Sequence, residues 1–254
     1  AWSGGTVNDV FATGNVHGDV RVGGLFGSAL GGVTITNSFA NGAVIGSSLV
    51  GGLVGITAGG ATATGSYFDE AKAGLSVTAL GTALATNELA HESTFAGWDF
   101  ESKWVLDDRV GYPELMAFDR TAPQVKSAIV PADTPSHLIV KFQERIQWND
   151  ATATKFSVKV NGAPIGITGG SLGADKRTID LVLAAPAQAG QALSFSYAPT
   201  GDADEVRDLA GNKAAAISEY AVVNESEQRE PTNASSPVIG TQPENRSVYV
   251  GDSA

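Results

Sequence analysis

Residues 22–27 read VGGLFG and residues 50–55 read VGGLVG. Near-copies of so glycine-rich a hexapeptide suggest two readings, loops that cradle a phosphate or corners of a repeated unit, and the choice decides how the whole chain is read. A phosphate loop is completed by Lys and then Ser or Thr, whose ammonium and hydroxyl groups meet the phosphate and its metal. Neither copy has that ending: Gly27 leads into Ser28-Ala29 and Gly55 into Ile56-Thr57. The repeat reading extends well beyond the hexapeptide. The same step along the chain that carries Val22 to Val50 also carries Leu25 to Leu53, Phe11 to Phe39 to Tyr67, Val16 to Val44, Val7 to Ile35 to Ala63, and Gly4 to Gly32 to Gly60. A period of roughly 20 to 50 that keeps glycines and apolar residues in phase marks a stacked array.

Within one period the texture is that of short strands, as in residues 33–39, VTITNSF, where apolar residues alternate with Thr and Asn. At about 3.3 Å per residue, one period is long enough for three short strands and the turns between them. The expected architecture is therefore a β-solenoid (β-helix) with 28-residue coils, whose equivalent side chains form ladders. Between Ala1 and Phe68 the only charged side chains are Asp9, Asp19 and Arg21, in keeping with stacking, because like charges at every rung would repel. The paired glycines are expected to supply positive φ at the corners.

This segment resembles the GLUG-motif repeats of bacterial surface and secreted proteins. The motif stands here as Gly24-Leu25-Phe26-Gly27 and Gly52-Leu53-Val54-Gly55, flanked by Ser38-Phe39-Ala40-Asn41-Gly42 and Gly65-Ser66-Tyr67-Phe68-Asp69. The resemblance spans about residues 5–118 and implies an extracellular repeat array with no activity of its own. Residues 76–90 are expected to contain a short helix, with Asn87 as a capping residue. Trp98, Phe100, Trp104, Tyr112 and Leu115 are expected to form a C-terminal cap over the open last coil.

From Thr121-Ala122-Pro123 the pattern changes to longer alternating strands, at residues 124–130, 138–142, 156–160, 178–183, 192–197 and 217–223. Turn signals at Asn161-Gly162, Gly169-Gly170 and Ala189-Gly190 separate them. This spacing predicts an all-β, Ig-like β-sandwich, and with no cysteine in the chain it is built without the antibody-type disulfide. Asp119-Arg120-Thr121-Ala122-Pro123, Val158 to Gly162, Ser196 to Gly201 and Asp208-Leu209-Ala210-Gly211-Asn212 are similar in order and spacing to the SwmB-type bacterial Ig-like repeat. That resemblance covers about 119–224 and implies a spacer or adhesive module of a long surface protein. The expected domains are thus 1–118, 119–224, and a remainder 225–254 consisting of a linker and the start of a further Ig-like domain. On this reading the chain is a piece of a larger bacterial protein.

Composition narrows the function. A net charge of −11 disfavours nucleic acid, whose phosphates need clustered Lys and Arg. Every apolar run is broken by glycine or polar residues well short of the length of a spanning helix, so no membrane insertion is expected. The adjacent carboxylates Asp69-Glu70 and Asp107-Asp108 make poor acid/base pairs, because neighbours on a strand point to opposite faces. His17, His91 and His137 share no metal-ligand spacing. The strongest polar constellation is acidic: Asp202, Asp204, Asp208 and Asn212, with Asp119 brought close at the start of the module. Carboxylate and amide oxygens at such spacing suit a hard cation such as calcium; the competing reading, and the favoured one on sequence alone, is a solvated loop in which Asp208 and Asn212 hydrogen-bond a turn.

The resulting expectation is a non-catalytic extracellular stalk or adhesion region at the bacterial cell surface, monomeric as a fragment, presenting other domains or binding a cell-wall or extracellular polysaccharide or a host-surface ligand. The alternatives are a carbohydrate-binding accessory module of a polysaccharide-degrading enzyme and, more remotely, a small β-helical lyase or hydrolase.

Overall fold

The computed structural model describes residues 2–227, and of the expected linker and start of a further Ig-like domain, 225–254, residues 228–254 lie outside the described residues. The described chain is nearly all β. Its one α-helix is the single turn Glu70–Ala73, capped by the Asp69 carboxylate, which accepts from Lys72 N, and closed by Gly74 in the left-handed region.

In the first half, short strands pair in parallel with their equivalents one period away: Val7 with Ile35, Phe11 with Phe39, Val16 with Val44, Val22 with Val50, and Val54 with Phe26. A third tier adds Ala63 on Ile35 and Tyr67 on Phe39. The hexapeptides stack as well, with Gly24 N donating to Gly52 O at 3.2 Å and Leu25 N to Leu53 O at 3.0 Å. Side chains pointing inwards from the tiers, among them Val33, Ile35, Ala40, Leu53 and Phe68, form a closed apolar core. Ser38 and Ser66 are buried within this stack; their hydroxyls donate to Thr36 O and Thr64 O, and Ser38 N donates to the Ser66 hydroxyl.

The glycines work differently from the expected positive-φ corner. None of the six in the hexapeptides has positive φ; that conformation is taken instead by Gly4 and Gly5, Gly31 and Gly32, and Gly59 and Gly60. The hexapeptide glycines permit close approach. A Cβ on Gly24 would lie 2.4 Å from Gly52 O, and one on Gly52 would lie 2.1 Å from the Phe68 ring.

Two further expectations fail. Residues 76–90 form no helix beyond a 3-10 turn at Glu88–Ala90; instead Thr82–Leu84 adds a parallel strand to Tyr67–Asp69. Thr78 meanwhile hydrogen-bonds Val54 on both its N–H and its carbonyl, and Leu75, Ala79 and Leu80 pack on the core. This stretch, rather than the Trp-rich segment, covers the last tier. The aromatic residues lie along the side of the stack. Because neighbouring strand residues face oppositely, Ala40 and Phe68 point in while Phe39 and Tyr67 point out. Residues 89–115 run over this outward ladder, with Trp104 edge-on to Phe11, Tyr112 against Phe39, and Phe95 and Trp98 against Tyr67. Trp98 Nε1 donates to Gly65 O, while Trp104 Nε1 and Lys103 Nζ reach Asp9, so the segment is tied to both ends of the ladder.

The second half is an eight-stranded sheet with the order 163–165, 156–160, 193–197, 217–224, 125–130, 137–142, 178–183, 167–172. The pairs are antiparallel except Val125–Val130 with Ile217–Asn224. Its two outer strands, Ala163–Ile165 and Ile167–Leu172, are joined through Gly166, so the sheet curls until it is nearly closed. Alternate residues of both halves of this sheet, including Leu138, Val140, Phe142, Ile179, Leu181, Phe156, Val158 and Phe195, fill the interior. Gly169-Gly170, expected as a turn, lies inside the strand Ile167–Leu172: a Cβ on Gly170 would sit 2.6 Å from the Trp148 ring, so the glycine is there to admit the indole. Asn161-Gly162 is a turn as its composition implies, with φ of +49° and +81°.

Candidate metal centre

The buried positions Phe142, Glu144, Ile146 and Trp148 alternate at the end of the strand His137–Phe142 and beyond it, which turns the Glu144 carboxylate inwards where an apolar side chain would be expected. There it meets Asp119, from the connection between the two halves, and Asp208, on the short strand Arg207–Asp208 that pairs with Ile146–Gln147. Each of the three offers one carboxylate oxygen, and these oxygens lie within 4.8 Å of one another. All three residues are buried, Glu144 and Asp208 fully.

The partners of this cluster leave it short of positive charge. Asp208 is held by Asn212, whose backbone N–H and side-chain amide each donate to it at 2.8 Å. Asp119 Oδ1 accepts from the Thr121 N–H and hydroxyl, at 2.9 and 2.8 Å, and Oδ2 has no hydrogen-bond partner. Glu144 Oε1 is 3.4 Å from Arg109, and Oε2 likewise has no partner. That guanidinium is already committed to Asp107, which it grips through Nε and Nη2, and it also donates to Ala122 O.

Burial and the neighbouring Asp107, Asp119 and Asp208 charges push the Glu144 carboxyl up to about 8, against the opposing pull of Arg109. Burial also raises the Asp208 carboxyl, with the Asp119 charge adding to it and the bonds from Asn212 opposing it. Glu114, on the strand Pro113–Leu115, is raised by burial and by the charges of Asp119 and Asp107.

Of the residues singled out from the sequence, Asp119, Asp208 and Asn212 come together. Asp202 and Asp204 are exposed and do not join them: Asp202 Oδ1 pairs with Lys155 Nζ at 3.1 Å, and Asp204 N donates to Asp202. Within the acidic loop Glu205 also has a lysine partner, Lys213 at 2.9 Å. Sequence reasoning misses Glu144 because it stands as one charged residue between Gln143 and Arg145; its signal is the inward phase it shares with Phe142 and Ile146. Three of the four adjacent carboxylates are structurally engaged, and Glu70 is exposed. Asp69 caps the helical turn and accepts from Thr86, Asp107 binds Arg109, and Asp108 binds Lys126 and Arg177. His137 Nδ1 lies 2.9 Å from Asp180.

The carboxylate cluster adjoins a polar seam between the two halves of the chain. Arg177 Nη2 reaches Glu92 at 2.9 Å and Leu106 O at 2.8 Å, and its Nη1 reaches Asp108 at 3.0 Å and Gln143 O at 2.7 Å. Arg145 bridges Glu92 and Glu101, and Lys176 pairs with Glu101.

Comparison with known proteins places part of the chain. The profile of one family, described as "Putative flagellar system-associated repeat" (SWM repeat), matches residues 118–202, less than half of the chain. A search among curated proteins returned no match. Among solved structures, the chain is similar to the S-layer protein rSbsC(31-844), at 15% identity and a TM-score of 0.34, over 41% of this chain and 14% of that one. The N-terminal part of the bacterial S-layer protein SbsC aligns at 16% identity and a TM-score of 0.35, over 41% of this chain and 24% of that one. The chain therefore spans a quarter or less of the length of these structures, and residues 118–202 are similar to a bacterial repeat module.

Proposed function

We propose that the chain is a non-catalytic structural region of a bacterial cell-surface protein, a stalk segment that holds other domains away from the envelope. In this reading residues 1–118 are a β-solenoid of GLUG type, 119–224 an Ig-like sandwich of SwmB type, and both work mechanically. The observation that carries it is the continuous in-register ladder, repeated once per period through three tiers, which puts the load on backbone hydrogen bonds between tiers. The repeat-family match over 118–202 supports a second repeat-type unit in series with it.

The accessory-module alternative needs a flat aromatic platform open to a sugar. Phe95, Trp98, Phe100 and Trp104 are instead buried against the outward ladder, which favours the stalk. Two measurements test the proposal. Antibody labelling of intact cells making the full-length parent protein is expected to reach this region. The purified chain is expected to pass unretained through insoluble cell-wall and plant polysaccharides and to leave pectin, alginate and glucans uncleaved. Retention on one polysaccharide transfers the assignment to a carbohydrate-binding module, and turnover transfers it to an enzyme.

A further inference from the structure

We propose that Asp119, Glu144 and Asp208 bind one calcium ion, which clamps the connection between the two halves of the chain. The inference goes beyond the stalk reading and stands independently of it. Its first support is geometric. Three carboxylate oxygens mutually within 4.8 Å fit around a single cation with metal–oxygen distances of about 2.3–2.6 Å. Its second support is the pair of unpartnered oxygens, Asp119 Oδ2 and Glu144 Oε2, on side chains that are at least nine-tenths buried. Buried carboxylate oxygens left without donors are costly, and native interiors satisfy such groups with hydrogen bonds or a metal.

The choice of cation follows from the donors. All are oxygen, and the chain has no cysteine, so a soft or borderline metal lacks its preferred ligands. Magnesium sheds its water reluctantly and demands near-ideal octahedral geometry, whereas calcium accepts an irregular set of carboxylates in mono- or bidentate mode. The two hydrogen bonds from Asn212 hold Asp208 in place, as ligating carboxylates are commonly held by a second layer of donors. The three ligands are far apart in sequence. One lies in the connection after Met116–Phe118, one follows the strand His137–Phe142, and one lies on Arg207–Asp208. An ion shared among them cross-links the start of the second half to the end of its second long strand and to the short strand Arg207–Asp208 near its end. Next to them, Arg109 couples Asp107 of the first half to Glu144, so the ion also stiffens the seam.

The experiment uses the whole chain, stripped with a chelator and dialysed, with calcium chloride as the probe. Isothermal titration is expected to show saturable binding of one ion. Thermal unfolding at about a hundredfold excess over Kd is expected to shift upwards by about 5–10 °C, with no such shift from sodium chloride at equal ionic strength. Glu144→Gln and Asp208→Asn are expected to fold and to lose the calcium-dependent shift, while the double change Asp202→Asn, Asp204→Asn keeps it. Absence of both heat and shift in the folded, stripped protein overturns the proposal. So does an undiminished shift in Glu144→Gln and Asp208→Asn, loss of the shift in the Asp202/Asp204 variant, or a larger shift with magnesium than with calcium.

Discussion

Glu144 shows how a single side chain can set a protein's response to solution conditions. Its carboxyl, raised to about 8 from an ordinary value of 4.5, binds its proton more tightly in the folded protein than in the unfolded chain. Between those two pH values the folded state therefore holds the extra proton, and stability falls as pH rises through the window. For chelator-treated protein the expected outcome is a melting temperature that declines from about pH 5 to about pH 8, with a total loss on the order of a few kcal/mol. In Glu144→Gln that decline is expected to flatten, because the titrating group is gone; equal slopes for the two proteins would refute the assignment. A second residue-scale case is Tyr197, whose buried hydroxyl accepts from Val206 N at 2.9 Å and pins the loop after residue 200. Tyr197→Phe keeps the ring and strands the N–H, so chemical denaturation is expected to show a loss of about 1–2 kcal/mol.

Among the elements, the stacked strands depend on the closeness of their backbones as much as on the apolar side chains between them. Gly52 is the sharpest instance. It faces the Phe68 ring across a gap that no Cβ can enter, and Phe68 is itself wholly enclosed, so the ring has nowhere to move. Gly52→Ala is expected to destabilise the first half by about 2–3 kcal/mol or more, read by denaturant unfolding followed through tryptophan fluorescence. Gly60→Ala meets nothing within 4 Å and suffers only its positive φ of +79°, so a smaller cost of about 1 kcal/mol is expected. Reversed magnitudes for the two substitutions would show that conformation, rather than contact, limits the hexapeptide. The distinction was not legible in the sequence: a glycine needed for positive φ and one needed for close approach are the same letter, and only the neighbouring tier tells them apart.

For the molecule as a whole, the decisive contact is the seam between the halves, and Arg177 is its centre. The guanidinium is largely enclosed, at 14% side-chain exposure, and binds two carboxylates and two carbonyls contributed by Glu92, Leu106, Asp108 and Gln143. Three of those residues belong to the first half of the chain, so the seam should transmit unfolding between the halves. Arg177→Met is expected to leave Glu92 and Asp108 undercompensated and to cost about 2 kcal/mol or more. Calorimetry is expected to show the transitions of the two halves drawing apart; a single unchanged transition would mean that the seam couples nothing. The pairs of Lys126, Lys176 and Arg145 with acidic partners are more open to solvent, so salt should weaken their share of the coupling while leaving that of Arg177 largely intact.

Local pattern alone sets the register of the repeat, because a repeat must place equivalent residues on one another once the chain coils, and Phe11, Phe39 and Tyr67 do stack in that order. It also sets most strands of the second half, where unbroken period-two alternation leaves little choice of face. What covers the last tier, and which way the aromatic ladder faces, emerge only once the chain is folded. The Trp-rich segment has no period, and its place is set by apolar surface that the tiers leave open along their side rather than at their end. The carboxylate cluster was partly legible, since Asp208 and Asn212 belong to one turn and are neighbours by chain geometry alone. Glu144 joins them through the pairing of Ile146–Gln147 with Arg207–Asp208, a contact between strands far apart along the chain. No local pattern encodes such a contact, because the free energy that enforces it comes from closing the sheet around its core.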